Sequence, residues 1–251
     1  MTIANKRVLL TGTSSLYDDW KALLIEHDYQ VLDLEQLEGD VDPIDWVVEV
    51  TNYDLTEKKR TMQKIEQWLC KRKLQVPILT SSLAITATEV ASWTSLSQNV
   101  CGFGTFVPLA ERKLIELAPA LQTDEAIVRQ AQILLHSLGK ETAVVDDEVG
   151  LVFPRVLAMI INEAAFALME GIATKEDIDV AMKKGTNYPY GPLEWADLIG
   201  LDEVYAVIRG LYQNLGEDRY RPASLLRKMV LAGRIGRRSK QGFYAYPYEE
   251  E

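Results

Sequence analysis

The stretch Val149–Gly171, VGLVFPRVLAMIINEAAFALMEG, decides how the rest of this chain is read. From Val156 it continues through Leu157, Ile160, Ile161, Ala164, Ala165, Leu168 and Met169, one apolar face at helical spacing with further apolar residues on its flanks. Pro154 suits a first turn, where its missing N–H costs no hydrogen bond, and Gly171 suits a helix end. So wide an apolar surface predicts a helix with neighbours on most sides. Asn162 and Glu163 are polar in its middle and are expected to face a partner or solvent. Before this helix the pattern alternates strand and helix; after it, only helices follow.

Working upstream, Arg7–Thr11 reads as a strand, Gly12 opens a polar turn, Trp20–Ile25 is helical, and Gln30–Glu35 is a second strand with an acidic end. That is the outline of a dinucleotide-binding βαβ unit. Its glycine fingerprint is incomplete: counting from Gly12, the second glycine position is Ser14 and the third is Tyr17. Asp18 and Asp19 fall on the first helical turn, where they suit the positive helix end but repel a pyrophosphate seeking the same place. Further strands are expected at Asp45–Val50, Val76–Thr80, Val100–Phe106, Lys113–Leu117 and Thr142–Val145. Between them lie a helix over Leu55–Leu74, another over Thr86–Trp93 with Ser81 and Ser82 at its start, and one from Thr123 or Asp124 to Gly139. Strands and helices in this order predict a mostly parallel sheet covered on both faces.

Downstream, Thr174 caps a helix running to Lys184, Gly185–Pro192 is a rigid turn, and Glu194–Ile199, Leu201–Leu215 and Ala223–Ala232 are helical. Gly236–Tyr246 is an irregular tail, basic and then aromatic. Trp195, Leu198, Ile199, Leu201, Val204, Tyr205, Val207, Ile208 and Leu211 give this half more apolar surface than one packing face uses, which predicts a homodimer through it. The expected domains are residues 1–147, a degenerate Rossmann-like dinucleotide-binding domain, and residues 148–251, a helical domain.

The composition is that of a globular chain, 47% hydrophobic and 25% charged. A net charge of −10 is a poor match for nucleic acid or an anionic membrane. No apolar run approaches the roughly 18 residues of a membrane span, and MTIANKR leads straight into a strand and not into a signal peptide. Cys70 and Cys101 stand far apart without neighbouring His, so no metal site and no disulfide framework is expected, and a cytoplasmic location is.

Five segments, GTNYPYGPLEWADLIGLD, RYRPASLLRKMVLAGRIGRRSKQGFYAY, VVEVTNYDLTEKK, LTSSLAIT and CGFGTFVPLAERKLIEL, together with Val149–Gly171, resemble the 3-hydroxyacyl-CoA dehydrogenases over nearly the whole chain. The resemblance implies an α/β fold: an N-terminal Rossmann-like doubly wound sheet with a C-terminal all-α dimerisation domain. It also implies NAD as cofactor and oxidation of a 3-hydroxyacyl-CoA to the 3-oxoacyl-CoA. Residue by residue, the family's catalytic His falls on Gly104, the Glu that orients it on Glu116, and the catalytic Asn on Pro154. Its nicotinamide-side Asn falls on Val107, and the Ser that touches substrate and cofactor on Ser81. Of the cofactor contacts, the turn glycine is Gly12, the acid beside the ribose Glu35, the lysine Lys58, and a basic residue Arg238.

A strand and a long helical hairpin of the family are missing between Glu35 and Asp45, and the hairpin is where the family holds much of CoA. Gly104 offers no side chain to accept a proton, and Pro154 has no donor. His27 and His136 are the only histidines, and neither lies where it could replace the base. Glu116 needs another partner, and Arg112 and Lys113 are near in sequence. Taken singly, Ser81 and Ser82 also read as helix caps, Glu35 as a solvated strand end, and Lys58 and Arg238 as surface charges. Two readings follow. One is a dehydrogenase-like protein of fatty-acyl metabolism with weak or no standard activity and weak or absent NAD binding. The other is a non-catalytic dimeric protein that binds acyl-CoA or another small molecule, or joins an assembly.

Overall fold

In the computed structural model the described residues are 6–38 and 43–247. They divide into two compact units, Met1–Val152 and Phe153–Glu251. The first holds β1 (Arg7–Thr11), α1 (Leu16–Glu26), β2 (Gln30–Leu32), β3 (Trp46–Glu49), α2 (Leu55–Arg72), β4 (Ile78–Ser81) and α3 (Ala87–Ala91). It continues with β5 (Val100–Gly104), β6 (Leu114–Pro119), α4 (Glu125–Ser137) and β7 (Glu141–Val144). The strands form one seven-stranded sheet in the order β2-β1-β3-β4-β5-β6-β7. All neighbours are parallel except β5 and β6, joined antiparallel with Gly104 opposite Glu116. Chain order reverses between β1 and β3, the place where doubly wound sheets open a ligand crevice beyond their strand ends.

The strands β1, β3, β4, β5 and β6 are mostly buried because helices cover both faces of the sheet, while β2 and β7 at its edges are more exposed. On one, Trp20 of α1 meets Phe103 of β5 edge-on, ring centroids 5.5 Å apart, with Leu16, Leu24, Leu134 and Leu135 around them. On the other, Met62, Ile65, Trp68 and Leu69 of α2 pack with Val90 and Ala91 of α3 over Leu9, Val47 and Ile78. Short polar side chains set the helix starts: Asp54 accepts from Thr56 and Glu57 N–H, Thr86 from Glu89, Asp124 from Ala126, and Thr174 from Asp177. Of the two expected caps for α4, Asp124 does the work, while Thr123 donates its hydroxyl to the Val100 carbonyl. Ser81 and Ser82 cap nothing. The start of α3 is held by Thr86 and by Asp147, whose carboxylate accepts from Ala87 and Thr88 N–H at 2.7 Å each.

In the second unit α5 (Phe153–Met169) is surrounded by α6 (Lys175–Thr186), α7 (Pro192–Ile199), α8 (Leu201–Leu215) and α9 (Ser224–Leu231). Asn162 is polar inside α5 because it holds a neighbouring segment: its amide donates to Arg221 O at 3.0 Å and its carbonyl accepts from Ala223 N–H at 2.8 Å. The tail is fastened by Asp197, buried in α7, which accepts from Phe243 and Tyr244 N–H and from the Tyr246 hydroxyl. A side chain at Gly242 would collide with that carboxylate, since its Cβ would lie 1.9 Å from Asp197 Oδ1. Most of the apolar residues of α7 and α8 expected to need a second subunit are buried within the single chain, while Leu198 is half-buried. Val204, Val207, Ile208 and Leu211 are all fully buried. Among the described residues no helix is long and apolar enough to cross a membrane.

Candidate functional site

Of the residues carried over from the family, Ser81 and Gly104 end β4 and β5, on the rim formed by the carboxyl ends of β3, β4 and β5. Ser81 ends β4 and is fully buried, and its hydroxyl has no protein partner. The same holds for the hydroxyls of Thr51, Ser82 and Thr105. A buried hydroxyl with no partner costs on the order of 1–3 kcal/mol unless a ligand or an ordered water meets it. Four at one rim mark a place built to meet polar atoms.

Lys58 does not reach outward from this rim. It is fully buried, paired with the Glu49 carboxylate, and donates to the carbonyls of Thr51 at 3.0 Å and Ser81 at 2.9 Å. Glu49 in turn accepts from Thr51 N–H at 2.7 Å and from the Thr80 hydroxyl at 2.8 Å. The ammonium thus ties the ends of β3 and β4 together. The surface-charge reading of Lys58 is wrong, because the charge sits under the sheet edge and not on the outer face of α2.

Glu116 faces Gly104 across the antiparallel ladder, the spacing a paired acid and base would need. A Cβ on Gly104 would stand 2.5 Å from Cδ1 and 3.1 Å from Cγ of Leu151, so this leucine occupies the space of any side chain there. Leu151 is itself buried and has a left-handed φ of 51°. The turn that delivers it is fixed by Leu151 N–H to Glu148 O, by Gly150 N–H to Ser82 O, and by Val152 N–H to Glu116 Oε2 at 2.8 Å. Glu116 therefore has a backbone donor that proximity in sequence did not suggest. The Arg112 guanidinium donates to the carbonyls of Phe106 and Val107 at 3.4 Å, and Lys113 is exposed. The two histidines lie elsewhere: His27 caps α1 with its ring on Leu23 O, and His136 is exposed in the last turn of α4.

The turn after β1 is tight. Gly12 has φ 130°, and a Cβ there would lie 2.8 Å from Thr51 N, so glycine is needed for β1 and β3 to approach. At the start of α1, Ser14 accepts Leu16 N–H on its hydroxyl and Tyr17 N–H on its carbonyl, both at 3.1 Å. Tyr17 packs partly into the core. Burial first, then the carboxylates of Asp33 and Asp18, hold its phenol above the ordinary value. Asp19 does not face the turn. It accepts from Leu109 N–H at 2.5 Å, while Lys140 donates to Leu109 O at 2.7 Å, so both backbone groups of Leu109 are clamped.

Glu35 lies off the strand it was expected to end. β2 stops at Leu32, because Asp33 and Gln36 exchange backbone-to-side-chain bonds that start a 3-10 turn over Glu35–Glu38. Arg238 belongs to the second unit and is paired there with Asp202. Pro154 is buried in the first turn of α5, and Val107 precedes Pro108 in the loop after β5. The Cys101 thiol is pushed up to about 12 by burial and then by Asp147, which removes it as a nucleophile. No group of three or more metal-ligating side chains occurs among the described residues.

The NAD binding domain of 3-hydroxyacyl-CoA dehydrogenase matches residues 25–149, and the C-terminal domain of 3-hydroxyacyl-CoA dehydrogenase matches residues 150–246. The first match begins beyond the glycine turn, the part of the βαβ unit that departs furthest from the fingerprint. A 3-hydroxybutyryl-CoA dehydrogenase of Clostridioides difficile is 37% identical over 226 residues, covering 90% of this chain and 78% of that protein. The crystal structure of (S)-3-hydroxybutyryl-CoA dehydrogenase from Ralstonia eutropha superposes with a TM-score of 0.74 at 27% identity, over 98% of this chain and 100% of that one. That of FadB2 from M. tuberculosis gives 0.81 at 25% identity, over 97% and 100%. The chain belongs to the 3-hydroxyacyl-CoA dehydrogenase family and is a 3-hydroxyacyl-CoA dehydrogenase-like protein.

Proposed function

We propose that this protein keeps the dehydrogenase scaffold as a binding protein and has given up the family's hydride-transfer chemistry. The observation that carries the reading is the filled space at Gly104. Opposite Glu116 stands no base but the side chain of Leu151, and the Glu116 carboxylate is engaged by Val152 N–H. Losing a general base removes typically a factor of about 10² to 10⁴ in rate, and here its place is taken as well. The unpartnered hydroxyls of Thr51, Ser81 and Thr105 support a retained polar ligand at the rim.

NAD fits this rim poorly in the usual pose. Its pyrophosphate would lie over the first turn of α1, where Ser14 already takes two N–H groups, Tyr17 stands at a glycine position and Asp18 adds negative charge. Lys58 is committed to Glu49 and two carbonyls. Binding is therefore weak. The test is steady-state NADH oxidation with acetoacetyl-CoA at high protein concentration. The expected rate equals that of a Ser81→Ala, Glu116→Gln control, and a rate well above the control refutes the reading.

The protein acts as a homodimer through its helical unit. Support comes from α5, whose outer face exposes Val156 (55% exposed) beside the half-buried Met159 and Ile160, flanked by Arg155, Glu163, Arg219 and Tyr220. Light scattering at micromolar concentration is expected to give twice the 28.3 kDa of one chain. A Val156→Glu, Ile160→Glu variant is expected to be monomeric. A cytoplasmic location fits the two free thiols.

A further inference from the structure

At the amino ends of the strands, the end of the sheet opposite the rim, α4 and the residues that begin β1, β2 and β3 line a groove of about 400 Å³. It lies wholly within the first unit. Ligand pockets start at about 300 Å³, so the groove is large enough for a small molecule. Tyr29 is buried beneath it, Trp46 is half-buried, and Ile133 of α4 is 70% exposed, which leaves apolar surface open to water. A cation and an anion line the same groove without neutralising each other. Lys6 holds its ammonium over the Tyr29 ring, 5.1 Å from the centroid, and has no ion-pair partner among the described residues. Asp45 is steered by the backbone: its Oδ2 accepts from Arg7 N–H at 2.8 Å, and its Oδ1 accepts from no described residue. The indole N–H of Trp46 is likewise without a partner among the described residues. A solvated strand end accounts for a charge at either position taken singly, but not for two opposite charges left unpaired around one apolar groove.

We propose that this groove is a second binding site and that it takes an aromatic α-amino acid. The ligand carboxylate accepts from the Lys6 ammonium, with the Trp46 N–H as a further donor, and the ligand ammonium donates to Asp45 Oδ1. The ring lies against Ile133 and the face of Trp46, covering apolar surface that is otherwise wet. Each part of the groove excludes a simpler ligand. An aromatic acid without an amine brings a second negative charge toward Asp45, and an amine without a carboxylate leaves Lys6 unmatched. A small polar amino acid leaves Ile133 and Trp46 in water. Doubly wound sheets bind their ligands beyond the carboxyl ends of the strands, so a site at the amino ends is independent of what the rim binds.

The experiment is calorimetric titration of the full-length protein, untagged at its amino end, with L-phenylalanine, phenylacetate and 2-phenylethylamine. L-Phenylalanine should bind about fivefold or more tighter than either singly charged analogue. Lys6→Gln should weaken L-phenylalanine and phenylacetate but not 2-phenylethylamine. Asp45→Asn, whose amide oxygen can still accept from Arg7 N–H, should weaken L-phenylalanine and 2-phenylethylamine but not phenylacetate. Ile133→Ser, an exposed change, should weaken all three. Melting temperatures close to that of wild type show that the variants are folded. Binding of L-phenylalanine that survives both charge changes belongs elsewhere and overturns the proposal. So does the absence of heat with L-phenylalanine at millimolar concentration, or equal affinity for the three compounds, the mark of an apolar patch that reads no charge. A fall in molar mass on Ile133→Ser, seen by light scattering, would make the groove an interface between copies of the chain and would overturn it too.

Discussion

Replacing Gly104 with His puts an imidazole opposite Glu116, but into space that Leu151 already fills. The first added atom would stand 2.5 Å from Leu151 Cδ1, well inside van der Waals contact. That methyl is the far end of a side chain and can rotate, but the leucine is buried and its backbone is pinned by the bonds at Gly150, Leu151 and Val152. Overpacking of this kind costs about 1–3 kcal/mol. For a chain of this size that lowers Tm by roughly 2–12 °C. Leu151→Ala alone should cost about 2–5 kcal/mol by leaving a cavity. The double variant should cost less than the sum by on the order of 1 kcal/mol, because each change relieves the other. Urea unfolding of the four proteins gives this coupling, and NADH oxidation with acetoacetyl-CoA is followed in parallel. Gly104→His alone is expected to stay inactive. Strict additivity, or activity from that single change within tenfold of an ordinary family member, would show that Leu151 is not the occupant of the base position.

Lys58→Met leaves Glu49 charged and buried without its ammonium, so it should destabilise by about 3–5 kcal/mol in urea; a neutral result would mean that the lysine serves a ligand and not the fold. Asp197→Asn keeps the shape but puts an amide NH₂ in place of one oxygen, facing a donor of either Phe243 or Tyr244, and should loosen the tail by about 1–3 kcal/mol, read as faster limited proteolysis near Gly236. Burial lifts the Asp197 carboxyl above its ordinary value despite those donors, so the folded chain holds that proton more tightly than the unfolded one. Its contribution to stability is therefore full below the ordinary Asp range and falls as pH rises through the folded pKa, a slope that Asp197→Asn should remove. NADH should bind with Kd above roughly 100 μM, about 5.5 kcal/mol. Tyr17→Gly with Asp18→Ser should tighten it, whereas Asp19, which clamps Leu109, must stay.

The fold was legible because its signals are local. The apolar stripe of α5, the caps at Asp124 and Thr174, and the runs of β1, β3, β4 and β5 each need only neighbours in sequence. The site was legible only as positions. That Gly104 and Glu116 oppose each other follows from an antiparallel step in a sheet otherwise parallel, and no periodicity announces it. Lys58 sits in a strongly charged helical sequence, and its burial depends on Glu49, a partner on another element. Asp19 was read as facing a ligand because helix position alone places it in the first turn. Its partner, Leu109, is 90 residues away. Ser81 and Ser82 resembled caps for the same reason, and Asp147 supplies a cap that distance in sequence hides.

Hydride transfer at this site is tested most directly by isotope transfer from the cofactor. The protein is mixed at equal concentration with acetoacetyl-CoA and with NADH carrying deuterium at the transferable position of C4, and the 3-hydroxybutyryl-CoA formed is followed by mass spectrometry. The expected result is no deuterated product above that of a Ser81→Ala, Glu116→Gln control over hours. Deuterium accumulating toward one per site, faster than in the control, would contradict the account.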